Sequence, residues 1–288
     1  MKRLVLLVFI LISSFCVFSQ SKPTVIKVNH ENIEREYIVY VPENLKANKA
    51  VPLLIGLHGS GGSAYTFMHH SGFNTLAEKE NFIAVYPQGS LLNDNAHWNV
   101  GGWARNSTAN DIGFIGLMIQ EVKKSYNIDS SKIFAAGMSN GGYLSFQLAC
   151  EMGDVFAAVA SVTGSMTPET HKKCTSSYQV PVLQIHGTSD SVVPYNGRQG
   201  WSLPIDDVVD FWVEKNNALP RPKIKKLPDL DTTDNSTVVK YTYKDDSKKV
   251  MVIHYKVLNG RHDWFGNIGN KDIHANKVIW EFFSKQKN

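Results

Sequence analysis

The fold is decided by the stretch Phe134-Ala135-Ala136-Gly137-Met138-Ser139-Asn140-Gly141-Gly142. It contains a G-x-S-x-G motif, in which Ser139 lies between two glycines, with an apolar run before it and a helical pattern, 143–150, after it. Strand, sharp turn and helix in this order are the context of a nucleophile elbow. Such a turn strains the backbone of its central residue and leaves room beside it only for glycine. Because the motif also occurs by chance as a Gly-rich turn, the chain must also supply partners for Ser139.

Composition and length suit an ordinary globular protein. The chain has 288 residues, of which 43% are hydrophobic and 19% are charged. This length fits one large α/β domain or two small ones. The formal net charge of +4 is small and dispersed, which argues against nucleic-acid binding.

Residues 1–19 are predicted to be a signal peptide, followed by a single catalytic domain over 20–288. A basic start is followed by nine apolar residues, 4–12, and by a less apolar end. Nine residues fall short of the ~20 that span a bilayer, so we expect cleavage after Ser19 and no stable membrane insertion. Lipidation of Cys16 is the alternative, although bulky Phe15 stands beside it. The sequence therefore predicts a secreted or periplasmic protein.

The mature chain would hold two cysteines, Cys150 and Cys174. An even pair in an exported, oxidising setting is more often bridged than free, so we expect a disulfide. Two buried thiols are the alternative. Neither cysteine has the spacing of a metal ligand, and no metal or cofactor is predicted.

Strand and helix patterns alternate through most of the chain. Apolar or alternating runs predict strands at 25–28, 37–41, 52–57, 82–86, 132–136, 156–162, 180–185, 238–243 and 250–258. Helical patterns cover 64–80, 111–126, 143–150, 205–216 and 273–284. Residues 90–110 form a predicted long loop and residues 220–236 a polar surface excursion. The pattern predicts an α/β fold with one mostly parallel sheet and helices on both faces.

Three side chains in the loops after predicted strands can form a catalytic triad. In such sheets the active residues follow the carboxyl ends of strands, and here Ser139, Asp190 and His262 do so in that order. A serine hydroxyl needs a base, and an imidazole with a pKa near ~6.5 can accept its proton and return it to the leaving group. A carboxylate on the other ring nitrogen fixes the tautomer. We therefore predict Ser139 as nucleophile, His262 as base and Asp190 as orienting carboxylate.

Other residues compete for two of these roles. Asp154 and Asp210 are weaker rivals of Asp190, because the proline at 194 makes a helix cap at Asp190 improbable. Of the ten histidines, only His262 lies in a Gly-flanked loop after the last strand. Its neighbour Asp263 is interpreted as a solvated side chain.

Two backbone N–H groups are predicted to stabilise the oxyanion. One belongs to Asn140, at the start of the helix after the elbow. The other follows the strand at 52–57 and belongs to Ser60, with Gly59 as the alternative. A phosphate cradle at this Gly-rich turn is disfavoured because no lysine follows in the P-loop position.

Several motifs in this order resemble one esterase family. They read Leu57-His58-Gly59, Tyr86-Pro87-Gln88-Gly89, Asn110-Asp111-Ile112-Gly113-Phe114, the elbow, His186-Gly187-Thr188-Ser189-Asp190 and His262-Asp263-Trp264. Over residues 30–285 the chain is similar to the family of secreted feruloyl esterases, acetylxylan esterases and polyhydroxybutyrate depolymerases, grouped with carbohydrate esterase family one. The resemblance implies an α/β-hydrolase fold and the same triad, and it supports a Cys150–Cys174 bridge. Phe265 departs from the family, where a proline tends to follow the tryptophan.

Aromatic residues in the expected loops predict the substrate contacts. Exposed aromatic rings suit sugar faces or a phenolic ring. We expect Trp264, Tyr195 and Trp103 at the pocket rim, and Trp98 and Trp201 lie in the same loops. The predicted partner is an ester-bearing polysaccharide, oligosaccharide or polyester.

Three functions remain after these observations. The first is an ester hydrolase that releases feruloyl or acetyl groups from plant polysaccharide, with a polyester depolymerase as its alternative. A serine peptidase is disfavoured because such enzymes usually carry a large gating domain, for which this chain has no room. A non-catalytic carbohydrate-binding relative would be favoured only if a triad residue were missing.

Overall fold

A ten-stranded sheet forms the centre of the protein in the computed structural model, which describes residues 22–45 and 49–288. The strands are β1 Thr24–His30, β2 Ile33–Tyr40, β3 Val51–Leu57, β4 Ile83–Pro87, β5 Ser90–Leu92, β6 Asn95–His97, β7 Ile128–Met138, β8 Ala158–Val162, β9 Val182–Gly187, β10 Lys223–Lys226, β11 Thr237–Lys244 and β12 Val250–Leu258. The sheet order is β1-β2-β4-β3-β7-β8-β9-β12-β11-β10, and β5 and β6 form a separate hairpin. The predicted signal peptide lies outside the described residues.

The six central strands, β4, β3, β7, β8, β9 and β12, pair in parallel. Antiparallel strands complete the sheet, β2 and β1 at one edge and β11 and β10 at the other. The parallel strands β4, β8 and β9 are buried along their whole length, as their unbroken apolar runs require when helices cover both faces. The predicted mostly parallel α/β sheet is therefore confirmed.

Helices cover both faces of this sheet. They are α1 Ala64–Ser71, α2 Phe73–Glu80, α3 Asp111–Ser125, α4 Asn140–Glu151, α5 Pro168–Lys173, α6 Ile205–Lys215 and α7 Ala275–Phe283. Buried residues of α3, α4 and α6 belong to one apolar core, and those of α1, α2 and α7 to the other. The two cores lie on opposite faces because side chains alternate along each strand. None of the helices in the described ranges is long and apolar enough to cross a membrane.

Three local predictions differ from the structure. The predicted helix 64–80 is two helices, because Gly72 takes a left-handed conformation with φ of 72° and ends α1. The predicted loop 90–110 contains the β5–β6 hairpin and a short 3-10 helix, Gly102–Ala104. The polar excursion contains β10, an edge strand whose side chains are all exposed and which therefore lacks an apolar pattern.

A buried ion pair attaches the loop 90–110 to the sheet. Arg35 of β2 lies 2.8 Å from Asp111, the first residue of α3, and both side chains are at most 5% exposed. The other carboxylate oxygen of Asp111 accepts the N–H of Asn99 at 2.7 Å. A charge pair buried to this degree is stable only when its remaining hydrogen-bonding capacity is filled, and Asn99 fills it from the loop.

A disulfide joins Cys150 in α4 to Cys174 at the end of α5, at a sequence separation of 24. The two Cα atoms are 4.7 Å apart. The bridge fixes the far end of the helix that begins at Ser139.

Candidate active site

Ser139 stands in a strained turn between β7 and α4. Its φ of 53° and ψ of −121° are unusual for a residue other than glycine. The turn is held by the Ser139 N–H, which donates to the Val162 carbonyl at 2.8 Å. A side chain at Gly137 would collide with the Gly141 carbonyl, and one at Gly141 would collide with the Leu57 carbonyl. Both glycines are therefore required for α4 to begin this close to the ends of β7 and β3.

Asp190 and His262 form a hydrogen-bonded pair at the same edge of the sheet. Asp190 follows β9 and His262 follows β12, and these two strands are parallel neighbours. The Asp190 Oδ2 lies 2.7 Å from the His262 Nδ1. The other oxygen, Oδ1, accepts the N–H groups of Val192 and Val193 at 2.9 and 2.8 Å. The carboxylate is thus held in one orientation from both sides.

A second histidine, His186, also supports this carboxylate. Its Nδ1 lies 2.9 Å from the Gln184 Nε2, which donates, so the ring proton is carried by Nε2. That Nε2 donates to the Val193 carbonyl at 2.9 Å and lies 3.4 Å from the Asp190 Oδ2. Sequence reasoning quoted His186 only within a motif. The signal that could have found it is the two-residue spacing of Gln184 and His186, which puts both side chains on one face of a buried strand.

The surroundings of Asp190 keep it ionised. Burial alone would raise the pKa of this carboxyl, but the hydrogen bonds from His186 and His262 outweigh burial and hold the pKa well below its ordinary value. Asp190 is therefore a carboxylate throughout the neutral range. It can fix the His262 tautomer and stabilise the imidazolium that forms when His262 takes a proton.

In the described part of the chain, the side chains of Ser139 and His262 share no hydrogen bond. Ser139 lines one cavity together with Val192 and Val193, whose N–H groups donate to Asp190. Catalytic hydrogen bonds often reach full strength only in the substrate complex, so this geometry is compatible with proton transfer.

The two expected oxyanion donors lie beside the same cavity. Ser60 lines it, and a side chain at Gly59 would contact the Ser139 Cβ at 3.4 Å. In the described part of the chain, the N–H groups of Ser60 and Asn140 have no hydrogen-bond partner. The Asn140 side chain instead bonds the backbone N–H and carbonyl of Trp98 at 2.7 and 3.1 Å, which connects the start of α4 to the loop 90–110.

The cavity beside Ser139 has a volume of about 130 Å³ and a mainly aromatic and apolar lining. Its walls include Trp103, Tyr143, Val192, Val193, Pro194, Arg198 and Trp201. The Trp103 ring packs edge-on against Tyr143 at 4.7 Å between centroids and lies 5.9 Å from Trp201. The Arg198 guanidinium covers the Trp201 ring at 4.7 Å. We call this space the acyl cavity.

Two of the three predicted aromatic contacts are wrong. Trp264 is 1% exposed, its indole N–H donates to the Ser71 carbonyl, and its ring packs edge-on against Phe67 and Phe73. Tyr195 is also buried, and its hydroxyl bonds the side chains of Asp206 and His254. Both rings are buried in the core, where they contact residues that are distant in sequence. Trp103 does line the cavity, together with Trp201, which the sequence placed only among the loop aromatics.

Within residues 22–45 and 49–288, no group of three histidine, cysteine or acidic side chains is placed to hold a metal ion.

Comparisons with known proteins show similarity to esterases. Residues 35–197 match the family described as Esterase PHB depolymerase. The chain is 33% identical to a probable feruloyl esterase C from Aspergillus flavus, over 91% of this chain and 88% of that protein. It is 26% identical to a bifunctional acetylxylan esterase/xylanase from Neocallimastix patriciarum, over 87% of this chain but only 33% of that longer protein.

Solved structures show the same fold. An acetyl xylan esterase from Aspergillus awamori superposes with a TM-score of 0.67 at 18% identity, covering 91% of this chain and 99% of that one. A CE1 ferulic acid esterase from Anaeromyces mucronatus superposes with a TM-score of 0.59 at 15% identity, covering 90% and 92%. The fold, the family match and the relatives together establish that this chain belongs to the Esterase PHB depolymerase family and is a carboxylic ester hydrolase with an α/β-hydrolase fold.

Proposed function

We propose that this enzyme is an exported serine esterase that releases feruloyl groups, or the smaller acetyl group, from plant polysaccharide through an acyl-enzyme on Ser139. The observation that supports the acyl preference is the lining of the acyl cavity. Two tryptophans and a tyrosine surround it, and such rings favour stacked or edge-on contact with a planar phenolic ring.

The proposed reaction begins with attack of the Ser139 Oγ on the ester carbonyl while His262 takes the hydroxyl proton. The N–H groups of Asn140 and Ser60 would donate to the oxyanion. His262 then passes the proton to the leaving alcohol, and a water repeats the sequence to release the acid. Asp190 keeps the His262 ring in the orientation and tautomer that this shuttle needs.

A substrate panel tests both the nucleophile and the acyl group. We expect the mature protein to hydrolyse p-nitrophenyl acetate and methyl ferulate, and Ser139→Ala to lower kcat by about 10⁴-fold or more. The control is Ser247→Ala, since Ser247 is exposed in a distant turn. Retained activity in Ser139→Ala would refute the nucleophile. Turnover of polyhydroxybutyrate or acetylated xylan but not of feruloyl esters would refute the feruloyl preference.

Export is proposed on two grounds: the predicted signal peptide over 1–19 and the Cys150–Cys174 disulfide, which suits an oxidising compartment. Sequencing the amino terminus of the exported protein is the test, and a first residue of Gln20 is expected. A chain that begins at Cys16 would instead show lipidation, and one that retains residues 1–19 would refute cleavage.

A further inference from the structure

A second cleft, of about 580 Å³, lies beside His262 and is polar. Arg261 and Asp263, the two neighbours of His262 in sequence, line it together with Ser189, Asn235 and Asn259. We call it the polar cleft. The mechanism described above does not use it.

The polar cleft and the acyl cavity share no lining residue, but both reach the loop that holds Asp190. Ser189, just before Asp190, lines the cleft, whereas Val192 and Val193, just after it, line the cavity. The rest of the cleft lies on loops at β12 and the start of β11, whereas Ser60 and Ser139 of the cavity follow β3 and β7. Asp190 thus stands in sequence between a residue of the polar space and residues of the apolar one.

Several side chains of the polar cleft have unused hydrogen-bonding capacity. In the described part of the chain, the side chains of Ser189, Arg261 and Asp263 form no hydrogen bond or ion pair with another residue. Asp234, which also lines the cleft, by contrast already accepts hydrogen bonds from Ser236 and from the Lys271 N–H. The cleft is lined by one guanidinium and two carboxylates, because Asp234 stays charged despite its hydrogen bonds, and this disfavours an anion. The free donors and acceptors suit a neutral ligand with many hydroxyl groups rather than an apolar polyester.

The chemistry of ester cleavage decides which part of a substrate lies here. His262 must protonate the alkoxy oxygen, so that oxygen sits at His262 and the acyl group extends into the acyl cavity. The alcohol then extends past His262. We propose that the polar cleft binds the alcohol part of the substrate, and that this part is a neutral oligosaccharide; the inference rests on the proposed esterase function.

The position of the cleft sets the length of the alcohol. Arg261 and Asp263 stand one residue to either side of His262, so an alcohol must extend beyond the oxygen that His262 protonates in order to touch them. A methyl alcohol ends at the first carbon after that oxygen, whereas an oligosaccharide continues past it.

The test compares two esters of the same acid. We expect kcat/KM for a feruloylated arabinoxylo-oligosaccharide to exceed that for methyl ferulate, and Arg261→Ala to lower the oligosaccharide value by about tenfold, the loss of one charge-assisted hydrogen bond. Asp263→Asn should act in the same direction. Both variants should hydrolyse methyl ferulate within about twofold of the wild type, because a methyl ester does not touch the cleft.

The matched control is Arg221→Ala. Arg221 is an exposed arginine next to β10, whose first residue pairs with Thr242 near the end of β11. The cleft lies at the start of β11, so Arg221 is at the opposite end of these strands from the cleft. An equal loss on both esters, or no loss on either, would overturn the proposal. So would an Arg261 dependence seen with hydroxybutyrate oligomers and not with the oligosaccharide. Failure of the wild type to cleave either feruloyl ester would instead count against the proposed function.

Discussion

At the scale of single residues, His186 determines how firmly Asp190 is held. We expect His186→Phe to keep the volume of the ring but to leave the Val193 carbonyl unpaired and Asp190 with one partner fewer. Losing a hydrogen bond to a charged group costs about 1.5–3 kcal/mol, so kcat should fall by roughly ten- to a hundredfold with little change in KM. His69→Phe, on an exposed helix face, is the control.

If His186 only filled space in the core, its replacement would leave the titration of Asp190 unchanged. The pH dependence of the unfolding free energy is therefore a second measurement. The pKa of Asp190 is lowered in the folded protein, so the stability it contributes is present above the unfolded value of ~3.9 and is lost as the pH falls through the folded value. The difference in the free energy of unfolding between wild type and His186→Phe should therefore stay constant above pH ~4 and narrow as the pH falls below it, through the folded-state pKa values. A difference that does not narrow in this acidic range would contradict the role given to His186. An unchanged downfield proton resonance of the His262 Nδ1–H in the variant would contradict it as well.

At the scale of elements, the disulfide connects α4, which begins at the nucleophile, to α5. Closing a loop of 24 residues restricts the unfolded chain by about 3 kcal/mol in the chain-entropy estimate. We expect the double variant Cys150→Ala/Cys174→Ala to lose that amount of unfolding free energy in denaturant titration. Its kcat for p-nitrophenyl acetate should stay within about twofold of the wild type, because the bridge lies at the far end of α4. Dithiothreitol should reproduce the loss in the wild type and leave the double variant unaffected.

The sheet and the Asp190–His262 pair are the features that the sequence predicted. The alternation of apolar runs with helical patterns predicted the parallel sheet, because buried parallel strands require such runs. The chain order predicted Asp190 and His262 as neighbours, and the structure joins them by a hydrogen bond of 2.7 Å. The catalytic roles of both remain predictions.

The two wrong aromatic predictions have a common physical cause, which is packing between residues that are distant in sequence. Trp264 stands two residues from His262, but its ring turns into a space that Phe67 and Phe73 of α1 and α2 create. No local pattern reveals such a space. The strand β10 was missed for the opposite reason, since backbone pairing with β11 alone holds it and its side chains carry no apolar period.

At the scale of the whole molecule, the sheet brings two kinds of binding space together at the carboxyl ends of its parallel strands. Loops at β3 and β7 contribute to the acyl cavity, and loops at β9, β12 and β11 build the polar cleft. Because the two spaces share no lining residue, we expect Trp201→Ala to affect the preference for the acyl group and Arg261→Ala the preference for the alcohol. Their free-energy effects on kcat/KM for the oligosaccharide ester should add within about 0.5 kcal/mol in a double-mutant cycle. A larger coupling energy would show that the two spaces act as one.

The sheet is open, and one of its two edges is the lysine-rich strand β10. Lys223, Lys225 and Lys226 are exposed there, and Lys225 is directly opposite Lys240 of β11. Like charges across a strand pair destabilise it, whereas lysines on an outer strand prevent another chain from adding to it. Lys225→Val should therefore raise the midpoint of urea unfolding and also increase light scattering in concentrated solution, and Lys123→Val on helix α3 should do neither. A Lys225→Val protein that stays dispersed would contradict this. The charged edge thus lowers folding stability and at the same time keeps the backbone of a second copy from adding to the sheet.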